Sequence, residues 1–598
     1  MSRGHIRPWN YSIMSDLVEV AQGQKPADLY FAGGNLIDVY SGTLRKANIA
    51  IRQQRIAYLG LSEKMVGPET QIIQVEHKYL SPGYIDPHGH PFQLYNPSSY
   101  AQYVLRYGTT CSINDTLLFL GTMKIDNLLD MVEALAGLPI KMLWSARLDP
   151  QTLSHEENPR FSYSNIRRLI DHPLFLQVGE VTDWPALLAG NCNMQRWMVD
   201  TLNAGKKAEG HAPAASPDTL NALAAAGITA CHESITAEEV IHRIELGLYA
   251  TLRYSSLRPD LPLILQGLLQ KKHVSWERMM MTIDGPAPSH LIHGATDHLI
   301  RIAIQEGVAP VTAYQMVTRN PAVYYGLDSE IGGLAPGRLA DILVLSDLTE
   351  PTPEQVYADG RLIVNGTVPN TETFLSTPSL KWPELGLGPL KLGQRNLERL
   401  QMLPLYSNEP VYPIMELINP VITRKKDVPI DTEGLNHDGK YLQIEPKSGL
   451  CYAVVITRDY TRIAHGIIRG FVQNLDALAS SYNISQDLVI LGQDPAAMLQ
   501  ALQRVEELGG GIAMVHDDQV IWELPLTLGG NMSDQAMPKL IQVTQEMEKV
   551  LQQAGHPHYD PLHTLLFIST THLPEIRLTR NGLVTVKDRC VLRPSLPL

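Results

Sequence analysis

The sequence predicts an α/β protein: a (β/α)8, TIM-like barrel inserted in a small β-sandwich, followed by a C-terminal α/β domain. Three observations predict it. Over residues 81–330 short apolar runs alternate with amphipathic helical stretches, the pattern of a parallel barrel whose chemistry sits at the C-terminal ends of its strands. Two segments of short alternating strands flank that region, and a Pro-rich stretch then separates it from a final part of different style.

In chain order, residues 1–80 hold an N-terminal segment and the first part of the sandwich. From Ala27 the run "ADLYFAGGNLIDVYSGTLRKANIAIRQQRIAYLG" alternates β-branched and polar residues between Gly, Asn and Ser, as antiparallel strands with tight turns do. Residues 81–330 form the barrel, with strands expected in "LPIKMLWSAR", "LFLQVGEVTDW", "GKKAEGHAP", "GITACHES", "YATLRYS" and "MMMTIDG". Its helices include "TAEEVIHRIELGL", where Thr236 stands at the cap and Glu239 at the capping-box position. Residues 331–370, with "GGLAPGRLADILVLSDL" and "VYADGRLIVNG", supply the second part of the sandwich. Residues 371–598 are the linker "STPSLKWPELGLGPLKLG" and the C-terminal domain, with strands such as "CYAVVITRD" and helices such as "PAAMLQALQRVEEL".

Composition narrows the function. The 598 residues are 44% hydrophobic and 19% charged, a globular balance. A formal charge of -13 argues against nucleic acid as a partner, since phosphate backbones need clustered Lys and Arg. Cys111, Cys192, Cys231, Cys451 and Cys590 are scattered with no CxxC pair, which excludes a disulfide framework and a Cys-rich zinc site and fits a reducing cytoplasm. No apolar run reaches membrane-spanning length, and the first twenty residues lack the apolar core of a signal peptide. A cytoplasmic protein without a membrane partner is expected.

The stretch "SPGYIDPHGHPF" places His88 and His90 one residue apart after an apolar run. In an extended strand residues i and i+2 share a face, so both imidazoles enter one small volume. Four further groups end predicted strands: Glu180 in "LQVGEV", His211 in "AEGHAP", His232 in "ACHES" and Asp284 in "MTIDG". Four imidazoles and two carboxylates suit divalent transition metals, and a carboxylate able to bridge suits two of them.

With these residues in place, the chain resembles the metal-dependent amidohydrolase superfamily and, within it, the adenine deaminases. The resemblance runs through "PGYIDPHGH", "YVLRYGTT", "NPAVYYGL", "GGLAPGRLADILVL", "ASSYNISQDLVILG" and "ELGGGIAMVHD", and is most specific from Gly210 to Arg253. It implies a hydrolytic deaminase converting adenine and water into hypoxanthine and ammonia, with metal ligands at His88, His90, Glu180, His211, His232 and Asp284. Glu180 then takes the bridging position that many amidohydrolases give to a carboxylated lysine. Two ions per chain are expected, of iron, manganese or zinc, in a homo-oligomer acting on a purine base or related heterocycle.

Some positions depart from the family pattern. "PFQLYN", "NDTLLFL" and "DGPAP" stand where adenine deaminases carry acidic and histidine groups, Gly285 replaces a second aspartate, and "YNISQ" at 482–486 replaces a His-Asp-Ser-His-Asn motif. The substitutes Gln93, Tyr95, Asn114 and Asp115 are expected on the substrate side. Adenine is therefore expected to be a poorer substrate than for typical members. Another aminated heterocycle or a cyclic amide is the alternative, and a metal-binding homologue without turnover a second one.

The chemistry expected is attack by a metal-activated hydroxide, since a bound water titrates near ~7 instead of ~15.7. Asp284 binds a metal and takes the proton of the attacking water, and Glu233 gives a proton to a ring nitrogen. Glu233 could equally be a surface carboxylate favouring a helix start. Arg253 either orients a polar substrate or forms a buried ion pair. A cytidine-type zinc site lacks its cysteine pair here, and no nucleotide-binding motif is present.

Overall fold

The structure, a computed structural model, describes residues 6–152, 159–366, 368–369, 380–391 and 400–598. The boundary expected at 370/371, and residues 376–379 and 392–393 of the Pro-rich stretch, lie outside the described residues.

Eight parallel strands form the barrel sheet, in chain order from Tyr84–Gly89 through Thr109–Asn114, Lys141–Ala146, Phe175–Val181, Lys207–Gly210, Ala230–Cys231 and Tyr249–Arg253 to Met279–Thr282. Continuous apolar runs are what a sheet buried on both faces requires, and Tyr84–Gly89, Thr109–Asn114 and Lys141–Ala146 are buried along their whole length. The seam between the eighth and first strands is closed by other means. Val317 O accepts from Ile85 N at 2.7 Å and Met316 O from Met281 N at 3.2 Å, while Thr282 Oγ1 donates to His88 O at 2.6 Å.

The helix at Ala237–Glu245 shows how local sequence signals are used. Thr236 Oγ1 accepts from Glu239 N at 3.2 Å, and the Glu239 carboxylate accepts from Ile235 N at 2.7 Å, a capping arrangement displaced by one residue from the usual reciprocal pair.

The flanking segments meet in one nine-stranded sheet. Tyr79–Pro82, just before the barrel, pairs antiparallel with Ile342–Leu345, just after it, with Ser81 opposite Leu343. A polar triad fastens this sheet to the barrel. Lys141 Nζ, at the N-terminal end of the third strand, lies 2.5 Å from Asp341 and 2.9 Å from Asp359, with its side chain fully buried.

Beyond residue 400 the main sheet is antiparallel except where Val411–Leu417 runs parallel to Arg462–Arg469. This part is therefore β-rich and built mostly from antiparallel pairs. Helix Pro495–Glu507 packs on the sheet, and helix Pro561–Phe567 and the residues after it reach the barrel mouth. One continuous hydrophobic core joins the two, including Phe92 and Phe119 of the barrel side and Ile484 and Leu566 of the C-terminal side.

Replacing Lys141 by Met should cost about 3–5 kcal/mol, because two buried carboxylates lose their partner. Denaturant unfolding reads that loss. Metal content of the folded protein should be unchanged, since Lys141 lies at the end of the barrel away from the histidines.

Candidate metal centre

All six residues selected from strand ends converge at the C-terminal mouth. His88 and His90 face each other with their Nε2 atoms 3.0 Å apart, and Asp284 Oδ1 is 3.2 Å from each. His211 Nδ1 and His232 Nε2 are 3.1 Å apart. Glu180 stands between the two pairs. Its Oε1 is 2.9 Å from His211 Nδ1 and 3.7 Å from His232 Nε2, and its Oε2 is 3.8 Å from His90 Nε2. The donors fall into three overlapping sets compact enough to hold a cation: His88, His90 and Glu180; His88, His232 and Asp284; and Glu180, His211 and His232.

Behind these donors lies a second layer. Glu209 accepts from His88 Nδ1 at 2.8 Å and from His232 Nδ1 at 3.1 Å, which fixes both tautomers and turns both Nε2 lone pairs to the centre. Asp115 Oδ2 lies at ion-pair distance, 3.2 Å, from His90 Nδ1. Arg147 NH1 is paired with Glu180 Oε2 at 2.8 Å and donates to Glu180 O at 2.6 Å. Sequence reading missed Glu209 and Arg147. The signal for Glu209 was present, since it stands two residues before His211 in a strand and shares its face.

The charge balance fits cations. Asp115, Glu180, Glu209, Glu233 and Asp284 are five buried or nearly buried carboxylates, and the deeply buried guanidiniums of Arg147 and Arg253 are set among them. Burial works against charge on His88, but Glu209 and Asp284 outweigh it and hold the imidazole well above its ordinary range. Burial and His88 oppose charge on His232, yet Glu180 and Glu209 raise it to about 9. Despite burial, His88 and His232 hold Glu209 down to about 2. A site that draws protons onto its imidazoles is one where divalent ions would displace them. The donor set therefore fits the metals expected.

Glu233 is not a surface residue. It is buried, with Oε1 2.6 Å from Arg253 NH1 and 3.4 Å from His211 Nδ1. Burial opposes its charge, but Arg253 wins and holds it near about 2. The ion pair with Arg253 favours the carboxylate form of Glu233, whose Oε2 accepts from Arg258 NH1 at 3.4 Å. Arg253 forms the buried ion pair, its NH1 also 2.7 Å from Asp284 Oδ2, and lines the cavity as well.

A cavity of about 410 Å³ opens beside the centre. Of the four substitutes expected on its substrate side, Gln93 lines it and pairs with the Tyr482 hydroxyl of "YNISQ". Tyr95 is fully buried with its hydroxyl on Pro286 O at 3.3 Å, Asn114 holds Leu143 O at 3.0 Å, and Asp115 holds His90. These three are structural. The roof comes from the C-terminal side, through residues including Ile484, His563, Phe567 and His572.

Gly285 has a steric reason to be glycine. Its φ is +57°, and an added Cβ would lie 2.6 Å from His90 Cβ. Restoring the family aspartate by Gly285→Asp should therefore push His90 aside and lower metal content as well as change substrate preference. Metal analysis after reconstitution should show occupancy well below wild type. Glu209→Gln keeps the shape but can accept only one of two imidazole N–H groups as the carboxylate does. It should weaken metal affinity by about 10- to 100-fold, read by competition with a chelator.

Comparison with known proteins places this site in a family. Residues 79–368 match the amidohydrolase family and residues 421–590 match the adenine deaminase C-terminal domain. The chain is 34% identical over 593 residues to a protein of Halalkalibacterium halodurans provisionally named adenine deaminase, covering 98% of each chain. It is 31% identical over 587 residues to the adenine deaminase of Moorella thermoacetica, covering 96% of each, and 30% identical over 591 residues to adenine deaminase 2 of Carboxydothermus hydrogenoformans, covering 98% of this chain and 100% of that one. With full-length relatives at 34% identity and a match to both family domains, the chain belongs to the adenine deaminase family of the amidohydrolases.

Proposed function

We propose that the protein is a metal-dependent hydrolytic deaminase that converts adenine and water into hypoxanthine and ammonia. The observation that carries this reading is the placement of Glu180 between the pairs His88–His90 and His211–His232, under a cavity of small-molecule size. Two ions per chain are proposed, one beside His88, His90 and Asp284 and one beside His211 and His232, with Glu180 shared. Iron, manganese and zinc all suit imidazole and carboxylate donors. When bound, such ions supply a water acidified to a pKa near ~7.

The chain's own residues divide the remaining work. Asp284 is held ionised well below its ordinary range against its burial, chiefly by Arg253, and is the proton acceptor for the attacking water. As the water oxygen bonds to the amino-bearing ring carbon, the proton taken by Asp284 passes to the adjacent ring nitrogen. Glu233, a carboxylate, accepts a hydrogen bond from the N–H so formed. Arg253 holds both carboxylates in register. A second proton from the added hydroxyl goes to the amino group, the exocyclic C–N bond breaks, and ammonia leaves.

A second reading, a larger aminated heterocycle as substrate, is favoured by the apolar wall of Ile484, Leu566, Phe567 and Leu573. Purified protein reconstituted with each metal should release ammonia from adenine and cease to do so after chelation. Ring opening of cyclic amides without ammonia release would overturn the assignment.

Asp284→Asn keeps the shape but cannot take the proton. Turnover should fall by at least the ~10²- to 10⁴-fold typical of a lost general base, with thermal unfolding within a few degrees of wild type. Near-normal ammonia release from that variant would place the base elsewhere.

A further inference from the structure

Across the cavity from the metal donors, the C-terminal side presents an imidazole with its own carboxylate. His563 Nδ1 is 2.6 Å from Asp560 Oδ2, and the His563 backbone N–H donates to Asp560 Oδ1 at 3.2 Å. Both residues are buried. Asp560 sits in the left-handed region with φ +57°, a conformation costly for a residue with a side chain unless the surroundings hold it. An ionised carboxylate only accepts, so the hydrogen between the two residues belongs to His563 Nδ1.

In the neutral ring, an Nδ1 that donates to Asp560 leaves Nε2 as an acceptor. It has no hydrogen-bond partner among the described residues, and His563 lines the same cavity as Glu180, Glu233 and Asp284. Its ring stacks on Phe567 with centroids 5.8 Å apart and planes at 27°, so its direction is fixed from two sides. A buried acceptor with a fixed direction selects a ligand that brings a donor to that point.

We infer that the Asp560–His563 dyad is a specificity determinant: His563 Nε2 accepts a hydrogen bond from a ring N–H of the bound heterocycle, so the site selects free bases and rejects their ring-N-substituted forms. The inference rests on the deaminase reading for its substrate class. A nucleoside or N-alkyl base has no hydrogen at the nitrogen that meets His563 and would press its substituent against the roof.

The test uses the metal-loaded full chain and its variants His563→Ala, His563→Gln and Asp560→Asn. Adenine, 9-methyladenine, hypoxanthine and a cyclic amide are compared by calorimetric binding, and the first two also by ammonia release, with metal content and unfolding temperature measured alongside. Wild type should prefer adenine over 9-methyladenine by about 10- to 100-fold. His563→Ala should raise KM for adenine by about the same factor, change kcat far less, leave metal content unchanged and abolish the preference. His563→Gln should recover part of it, because its side-chain oxygen accepts. Asp560→Asn should weaken adenine binding, since the tautomer is no longer imposed.

The outcomes separate the two readings. Weaker binding of N–H heterocycles in folded, metal-replete His563→Ala without ammonia release in wild type leaves the dyad standing and overturns the deaminase. Ammonia release from adenine with KM and preference unchanged in folded His563→Ala overturns the dyad and leaves the deaminase. A wild-type chain that binds none of the panel overturns both.

Discussion

An excess of buried negative charge at one end of a barrel is the constraint around which this molecule is arranged. Five carboxylates gather where two guanidiniums are deeply buried among them. In a low-dielectric interior such an imbalance is costly unless cations or protons offset it. Several neighbouring groups respond in that sense. His88 and His232 are driven toward their charged forms, Arg147 braces Glu180 and Arg253 bridges Glu233 and Asp284. A basin of this kind is complementary to divalent ions before any ion arrives.

The barrel supplies the precision that charge alone lacks. Parallel strands bring residues far apart in sequence to one rim, and the hydrogen bonds behind the rim decide which nitrogen of each ring faces inward. Glu209 is the clearest case, since it holds two imidazoles of different strands at once. Asp284 and Gly285 follow the eighth strand with φ near +50° and +57°. Their turn is pinned by Thr282, whose hydroxyl donates to His88 O and accepts from Asp284 N. The last ligand and the first are therefore tied by one threonine.

The C-terminal part completes the site instead of decorating it. Its sheet shares a core with the barrel, and polar seams such as Thr570 Oγ1 on Gln151 O at 3.0 Å and Asn96 Nδ2 on Ser533 O at 2.8 Å fix the approach. The roof then brings imidazoles of its own. His572 meets His211 edge to face with centroids 5.6 Å apart, and its Nδ1 is 2.5 Å from Thr570 Oγ1. Part of the cavity wall thus comes from a different part of the chain from the candidate metal donors.

The sequence by itself determined whatever depends on near neighbours. The i, i+2 spacing of His88 and His90, the polar residue closing each apolar run and the Thr236 cap are local patterns, and local periodicity sets which face a side chain takes. Family resemblance added the adenine deaminase assignment. The tertiary structure alone decided which distant groups meet. Glu233 and Arg253 were each open between a site role and a bland one, and the structure buries them side by side as an ion pair. Tyr95 and Asn114 looked like substrate contacts but point into packing. Gly285 reads as a lost aspartate until the His90 side chain is seen against it. His563 lies nearly three hundred residues beyond Asp284, and only the docking of the C-terminal part on the barrel puts the two in one cavity. Such contacts arise from packing between chain-distant surfaces, which no short window of sequence encodes.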